Sequence, residues 1–83
     1  MNRNWVLFHL GEARHEIEKT LKEIRETPDD DYGEFFVAMQ HLYHHLNTAW
    51  NSRDATEDRV AQRSPEDFYQ WGRFPSDLPM MGE

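Results

Sequence analysis

The apolar residues of this chain divide it into two long amphipathic segments and one short one. Between residues 4 and 26 they recur at three- and four-residue spacing, which is typical of one face of an α-helix. Arg14 fills the single gap in the series, and charged residues cover most of the remaining faces. This pattern predicts a first helix over residues 4–26. Its apolar stripe consists of Leu7, Leu10, Ile17, Leu21 and Ile24.

A proline and three aspartates interrupt the helical pattern at residues 28–31. Pro28 disfavours helical backbone at the preceding residue, and an Asp at the end of the run can cap the following helix. We therefore predict a capped turn, Asp29 to Asp31, and a second helix over residues 31–52. The apolar seam of this second helix consists of Phe35, Met39, Leu42, Leu46 and Ala49.

The short connection makes the two predicted helices antiparallel neighbours, an αα-hairpin. A turn near residue 29 places residues whose numbers sum to about 57–59 opposite each other on the paired helices. The two apolar seams should therefore meet, with Ile24 against Phe35 and Leu10 against Leu46.

The last third of the chain begins with a polar stretch, residues 53–63, which we interpret as a loop or a frayed helical extension. Ser64 and Pro65 followed by two acids are typical of a helix start, so a short helix is predicted over residues 65–71. An extended tail, 72–83, completes an all-α single domain of residues 1–83. The large apolar groups here either close the hairpin's aromatic end or dock on a partner; they are Phe68, Tyr69, Trp71, Phe74, Leu78, Met80 and Met81.

Composition narrows the classes of function. The chain has 83 residues, no cysteine, and nine basic against sixteen acidic residues, a net charge of −7. Disulfides and thiolate zinc sites are excluded, and so short a chain has a marginal core of its own. The negative charge argues against nucleic-acid binding, and no apolar run approaches the roughly 20 residues of a membrane span. We expect a soluble, cytoplasmic protein that is not an enzyme.

The charges are unevenly distributed, and residues 35–52 contain no Asp, Glu, Lys or Arg. Exposed helices normally carry charges, so an uncharged polar face on the second helix suggests contact with another protein. We predict a non-enzymatic interaction module, either a homodimer that completes a four-helix bundle or a binder of another protein partner. A hydrated face that simply lacks charge is the alternative. The predicted interaction residues are Gln40, His41, His44, Asn47, Thr48, Asn51 and the neighbouring Trp50.

Histidines and carboxylates offer a second hypothesis, a metal-binding helical protein that uses Zn or Fe as its cofactor. Both ions accept such ligands without thiolates. The pairing of the helices puts the candidates at one height along the hairpin, although His41 and His44 point away from the helix seam. An intermolecular site is therefore expected. The candidate ligands are Glu12, His15, Glu16, His41, His44 and His45.

Overall fold

The computed structural model describes residues 1–27 and 32–82, and these ranges hold four helices and no strand. The predicted all-α hairpin is confirmed, because two long helices pack antiparallel and two short helices follow. The predicted capped turn, Asp29 to Asp31, and the start of the second helix at Asp31 lie outside the described residues. The helices are α1 (Arg3–Glu26), α2 (Tyr32–Asn51), α3 (Glu57–Ala61) and α4 (Pro65–Gly72).

The start of α1 is tied to the chain that follows α2. The side-chain oxygen of Asn2 caps the helix by accepting the backbone N–H of Trp5 at 3.1 Å. The amide of the same side chain donates to the carbonyl of Ala55 at 2.9 Å, and its backbone N–H donates to Arg53 at 2.6 Å. One residue thus satisfies the open end of α1 and ties it to the segment that follows α2.

Short helix α3 lies where the sequence pattern was interpreted as a loop or frayed extension. Thr56 caps it by accepting the backbone N–H of Arg59 at 3.1 Å, and its first turn carries two acids. Arg59 also forms a two-pronged ion pair with Asp67 in α4, at 2.8 and 2.6 Å. This pair, together with the Ser64 N–H bond, lowers the pKa of Asp67 to about 2. Short-range capping and one ion pair therefore order this stretch.

Helices α1 and α2 meet along small and polar residues rather than along their apolar stripes. Ala13 in α1 and Ala38 and Ala49 in α2 are buried, and such short side chains let the two backbones approach closely. Near one end of the seam, the indole N–H of Trp5 donates to the Ser52 hydroxyl at 2.8 Å. The residues of α1 and α2 that lie opposite each other are close to the predicted pairs along the hairpin. Each helix is rotated about its own axis, however, so that a different side faces its neighbour.

The apolar stripes do not form a buried seam between the helices, because most of their residues remain exposed. Leu10 and Leu46, predicted partners, are 45% and 38% exposed, and each follows a contact residue (His9 or His45) by one position. One position turns a helix by about 100°. In antiparallel helices that step moves both stripes to the same side of the hairpin. We call this side the apolar face: Leu10, Ile17, Leu21, Ile24, Phe35, Met39, Leu42 and Leu46.

The single chain has almost no hydrophobic core. The buried apolar residues of the described part are three alanines and Val60, and none of its large side chains is fully buried. The radius of gyration is 14.7 Å, whereas a compact domain of this length has about 12 Å. The hairpin therefore leaves many of its large apolar side chains exposed.

Gly72 provides a test of how closely the end of α4 packs on α2. A Cβ built on Gly72 would overlap the His44 ring, at 2.6 Å from its Cε1 atom. We expect Gly72→Ala to push His44 away from Phe68, against which its ring packs at 4.2 Å between centroids, and to lower the free energy of unfolding by about 1–3 kcal/mol. Urea unfolding measures this change.

Gly11→Ala is the matched control, because a Cβ there meets nothing within 4 Å. Inside an exposed part of α1 it should stabilise the protein by up to about 1 kcal/mol. Equal effects of the two substitutions would contradict the close packing of α4 against His44.

Candidate functional site

A cavity of about 920 Å³ lies between α1, α2 and the α3–α4 segment, on the side of the hairpin opposite the apolar face. All five histidines of the chain line it, which is why we call it the histidine cavity. Glu12 and Glu16 contribute carboxylates to the same wall. Its aromatic walls are formed by Trp5, Phe8, Phe68 and Trp71.

The predicted metal ligands meet in this one cavity, which the sequence pattern did not lead us to expect of a single hairpin. The reason is the rotation of the helices: with Ala residues at the seam, the His side of α2 and the Glu–His side of α1 turn the same way. Within residues 1–27 and 32–82, however, no three His, Asp or Glu side chains are arranged to hold a metal ion. The six that line the cavity are Glu12, His15, Glu16, His41, His44 and His45.

His9 is the central residue of the cavity, and the sequence reasoning missed it. It is 6% exposed, and its Nδ1 lies 3.0 Å from Nδ1 of His45. The Trp5 ring meets it edge-on at 4.3 Å, and no described residue offers its buried Nε2 a hydrogen bond. Residue spacing indicates the position of His9, because it lies four residues before the buried Ala13 and therefore on the same side of α1.

The environment of His9 favours the uncharged imidazole. Burial, as the largest cause, and then the neighbouring His45, His44 and Arg63 together lower its pKa to about 4. The pKa of His44 is also lowered, first by burial and then by His45 and His41. Two of the five rings in the cavity are thus biased toward neutrality, with free lone pairs near pH 7.

The remaining ligand candidates lie nearer to solvent. His41 Nδ1 is 3.9 Å from a carboxylate oxygen of Glu16, and the His41 side chain is 64% exposed while that of Glu16 is 15% exposed. His15 and Glu12 are exposed at the edge of the cavity. The site therefore combines the buried His9 and the half-buried His45 with outer groups, of which Glu12, His15 and His41 are exposed.

Much of the predicted interaction face of α2 binds the chain's own α4. The Asn47 amide donates to the Gly72 carbonyl at 3.0 Å, and the Asn51 amide donates to the carbonyls of Trp71 and Arg73 at 2.8 and 2.6 Å. These amides satisfy carbonyls at the end of α4 that have no partner inside the helix. Asn47 and Thr48 are buried and His44 and Asn51 are half-buried, whereas Gln40 and His41 remain exposed.

The tail after α4 runs along the outer side of α2. The Trp50 indole N–H donates to the Asp77 carboxylate at 3.0 Å, and this bond is the main reason that the pKa of Asp77 is lowered. Phe74 packs against Tyr43 at 5.2 Å between ring centroids. The tail thus contacts the hairpin in the same chain, although Phe74 is still 68% exposed.

Chemically, the cavity offers imidazole nitrogens and carboxylates between aromatic walls.

Among the described residues, no helix is long and apolar enough to cross a bilayer. No protein-family model, curated protein or solved structure matches this chain. The apolar face and the histidine cavity are the two features of the structure that bear on its function.

Proposed function

We propose that the protein is a non-enzymatic interaction module that self-associates, two hairpins burying their apolar faces against each other as a four-helix bundle. The observation that supports this is the contrast between core and surface. The buried apolar residues of the described part are three alanines and one valine, while Ile17, Leu21 and Ile24 are 43%, 45% and 50% exposed. A small chain without disulfides that lacks a core commonly gains one by association.

The size of the apolar face fits a protein interface. Its eight side chains expose on the order of 600 Å² of apolar surface, at the upper end of the patches found on monomers. A standard interface buries roughly 800 Å² per partner. The neighbouring Leu7, which is 63% exposed, would add to the buried area.

A second copy of this chain is the occupant that the charges favour. The α2 half of the face comes from residues 35–52, which contain no charged side chain. On α1 the interrupting Arg14 is already paired with Glu18 at 3.0 Å, with the Arg14 side chain 81% exposed. Two copies related by a two-fold axis can therefore bring their α2 halves together without opposing like charges, despite the net charge of −7.

The uncharged face of α2 is the other surface through which the chain could self-associate, and the sequence pattern favoured it. The hydrogen bonds of Asn47 and Asn51 to the end of α4 argue for the apolar face instead, because an interface on α2 would have to displace α4. Substitutions on the two faces separate these possibilities.

Sedimentation equilibrium of the full chain tests the proposal. We expect about twice the 10.0 kDa chain mass at micromolar concentration. Leu21→Glu should shift the protein toward the single-chain mass, whereas His41→Glu, at an exposed position of the uncharged face, should leave the dimer intact. A single-chain mass at high micromolar concentration would overturn self-association. Dissociation by His41→Glu alone would move the interface to the uncharged face.

A further inference from the structure

The strongest unexplained feature outside the apolar face is the pair formed by His9 and His45. Their Nδ1 atoms are 3.0 Å apart, and the two ring centroids are 5.3 Å apart. In a tetrahedral zinc site with Zn–N bonds of 2.0–2.1 Å, neighbouring ligand nitrogens are separated by about 3.3 Å. The two rings are therefore already spaced much as adjacent ligands of one metal ion are.

The helices supply further ligand atoms one turn away from this pair. His41 and His45 are four residues apart on α2, the spacing at which two histidines on one helix face bind zinc. On α1, His9, Glu12 and Glu16 follow each other at spacings of three and four, so all three lie on one side of the helix. Across the cavity, Glu16 lies opposite His41 at 3.9 Å.

We propose that the histidine cavity binds one divalent transition-metal ion of the zinc class, held by His9, His41 and His45 with a carboxylate of Glu12 or Glu16 as the fourth ligand. Because no three described side chains yet surround a single point, binding requires side-chain rotation. Glu12 and His41 are exposed, so both can turn inward without repacking the seam. The pair formed by the buried His9 and the half-buried His45 fixes where the ion sits.

The ligand chemistry selects the class of ion. Neutral imidazoles favour Zn²⁺, Ni²⁺, Co²⁺ and Cu²⁺, whereas Ca²⁺ and Mg²⁺ prefer sites made only of oxygen. Metal ligation needs the deprotonated form of each histidine. Three neutral histidines and one carboxylate around a divalent ion leave a single net positive charge, which the second nearby carboxylate balances.

Competition with a chromophoric zinc chelator at pH 7.5, on full-length protein without an affinity tag, tests this site. We expect one Zn²⁺ per chain, with no competition from Ca²⁺. His45→Gln and His41→Gln should each weaken zinc binding by about tenfold or more, as expected for loss of a direct ligand. His15→Gln is the matched control: this histidine lines the same cavity but is not in the ligand set, so its removal should leave the affinity unchanged.

Circular dichroism of each variant separates lost ligation from lost folding. His45 is half-buried, but His41 is exposed, so His41→Gln should keep the wild-type helix content and still bind zinc more weakly. Absence of zinc competition by the wild-type protein would overturn the proposal. So would equal losses in His15→Gln and His41→Gln, since that result indicates binding by scattered surface histidines. Neither result bears on self-association, which uses the opposite side of the hairpin.

Discussion

Replacement of Ile17 and Leu21 together by glutamate is expected to leave most of the protein unfolded at micromolar concentration. On a folded monomer these side chains would be surface residues, 43% and 45% exposed, and charged replacements would cost little. In a bundle of two hairpins they form the missing core, and burying four unpaired carboxylates there costs several kcal/mol. Because the single chain has so little core of its own, loss of association should also be loss of folding.

Far-ultraviolet circular dichroism over a range of protein concentrations measures this effect. The wild-type melting temperature should rise with concentration, as expected when folding and association are coupled, and the double variant should lack most of the helical signal. Tyr69→Glu is the control, because Tyr69 is 73% exposed on α4 and lies outside the apolar face. A double variant with wild-type helicity and melting temperature would contradict the proposed bundle.

Acidification from pH 7 to pH 4 is expected to lower the free energy of unfolding by about 3 kcal/mol through His9. In the unfolded chain this histidine takes up a proton near its ordinary pKa of 6.5, whereas in the folded protein burial and its neighbours lower the pKa to about 4. Between these values the unfolded state binds more protons, so stability falls as the pH falls. Below about pH 4 this loss levels off. His44 adds a change in the same direction.

Urea unfolding at a series of pH values between 7.5 and 4 checks this prediction. His9→Gln should remove most of the pH dependence in that window, since glutamine does not titrate. His15→Gln provides the comparison because His15 is exposed at the edge of the cavity and no described contact buries it. Equal pH dependence in the wild type and in His9→Gln would show that the buried ring does not control acid sensitivity.

The spacing of apolar residues was sufficient to predict the two long helices, and the clearest case is α1. Its predicted range, 4–26, differs by one residue from Arg3–Glu26. The start of α4 was also predicted correctly, from Ser64 and Pro65. In the structure Ser64 forms a capping box with Asp67 at this point. The sequence pattern did not predict α3, because a helix of five residues is too short to show an apolar repeat. The residues that indicate this helix are the capping Thr56 and the two acids that follow it.

Which side of each helix faces its neighbour was decided by tertiary packing. A stripe of Leu and Ile shows that a helix has an apolar face, but it does not say whether the covering partner is the same chain or another. In this fold Ala13, Ala38 and Ala49 take the seam because small side chains allow close backbone approach. Helix α4 then occupies the far side of α2 through the amides of Asn47 and Asn51.

The composition of the two candidate sites, the apolar face and the histidine cavity, depends on how α1 and α2 are rotated about their own axes. Residue types alone identified the histidines and glutamates as possible ligands, because imidazole and carboxylate chemistry belongs to the side chain wherever it lies. Whether those groups converge is a matter of helix rotation, and a turn of about 100° separates a contact residue such as His9 from the exposed Leu10 beside it. That one-residue step placed His9 against His45, gathered five histidines on one side, and left most of the leucines and isoleucines exposed on the other.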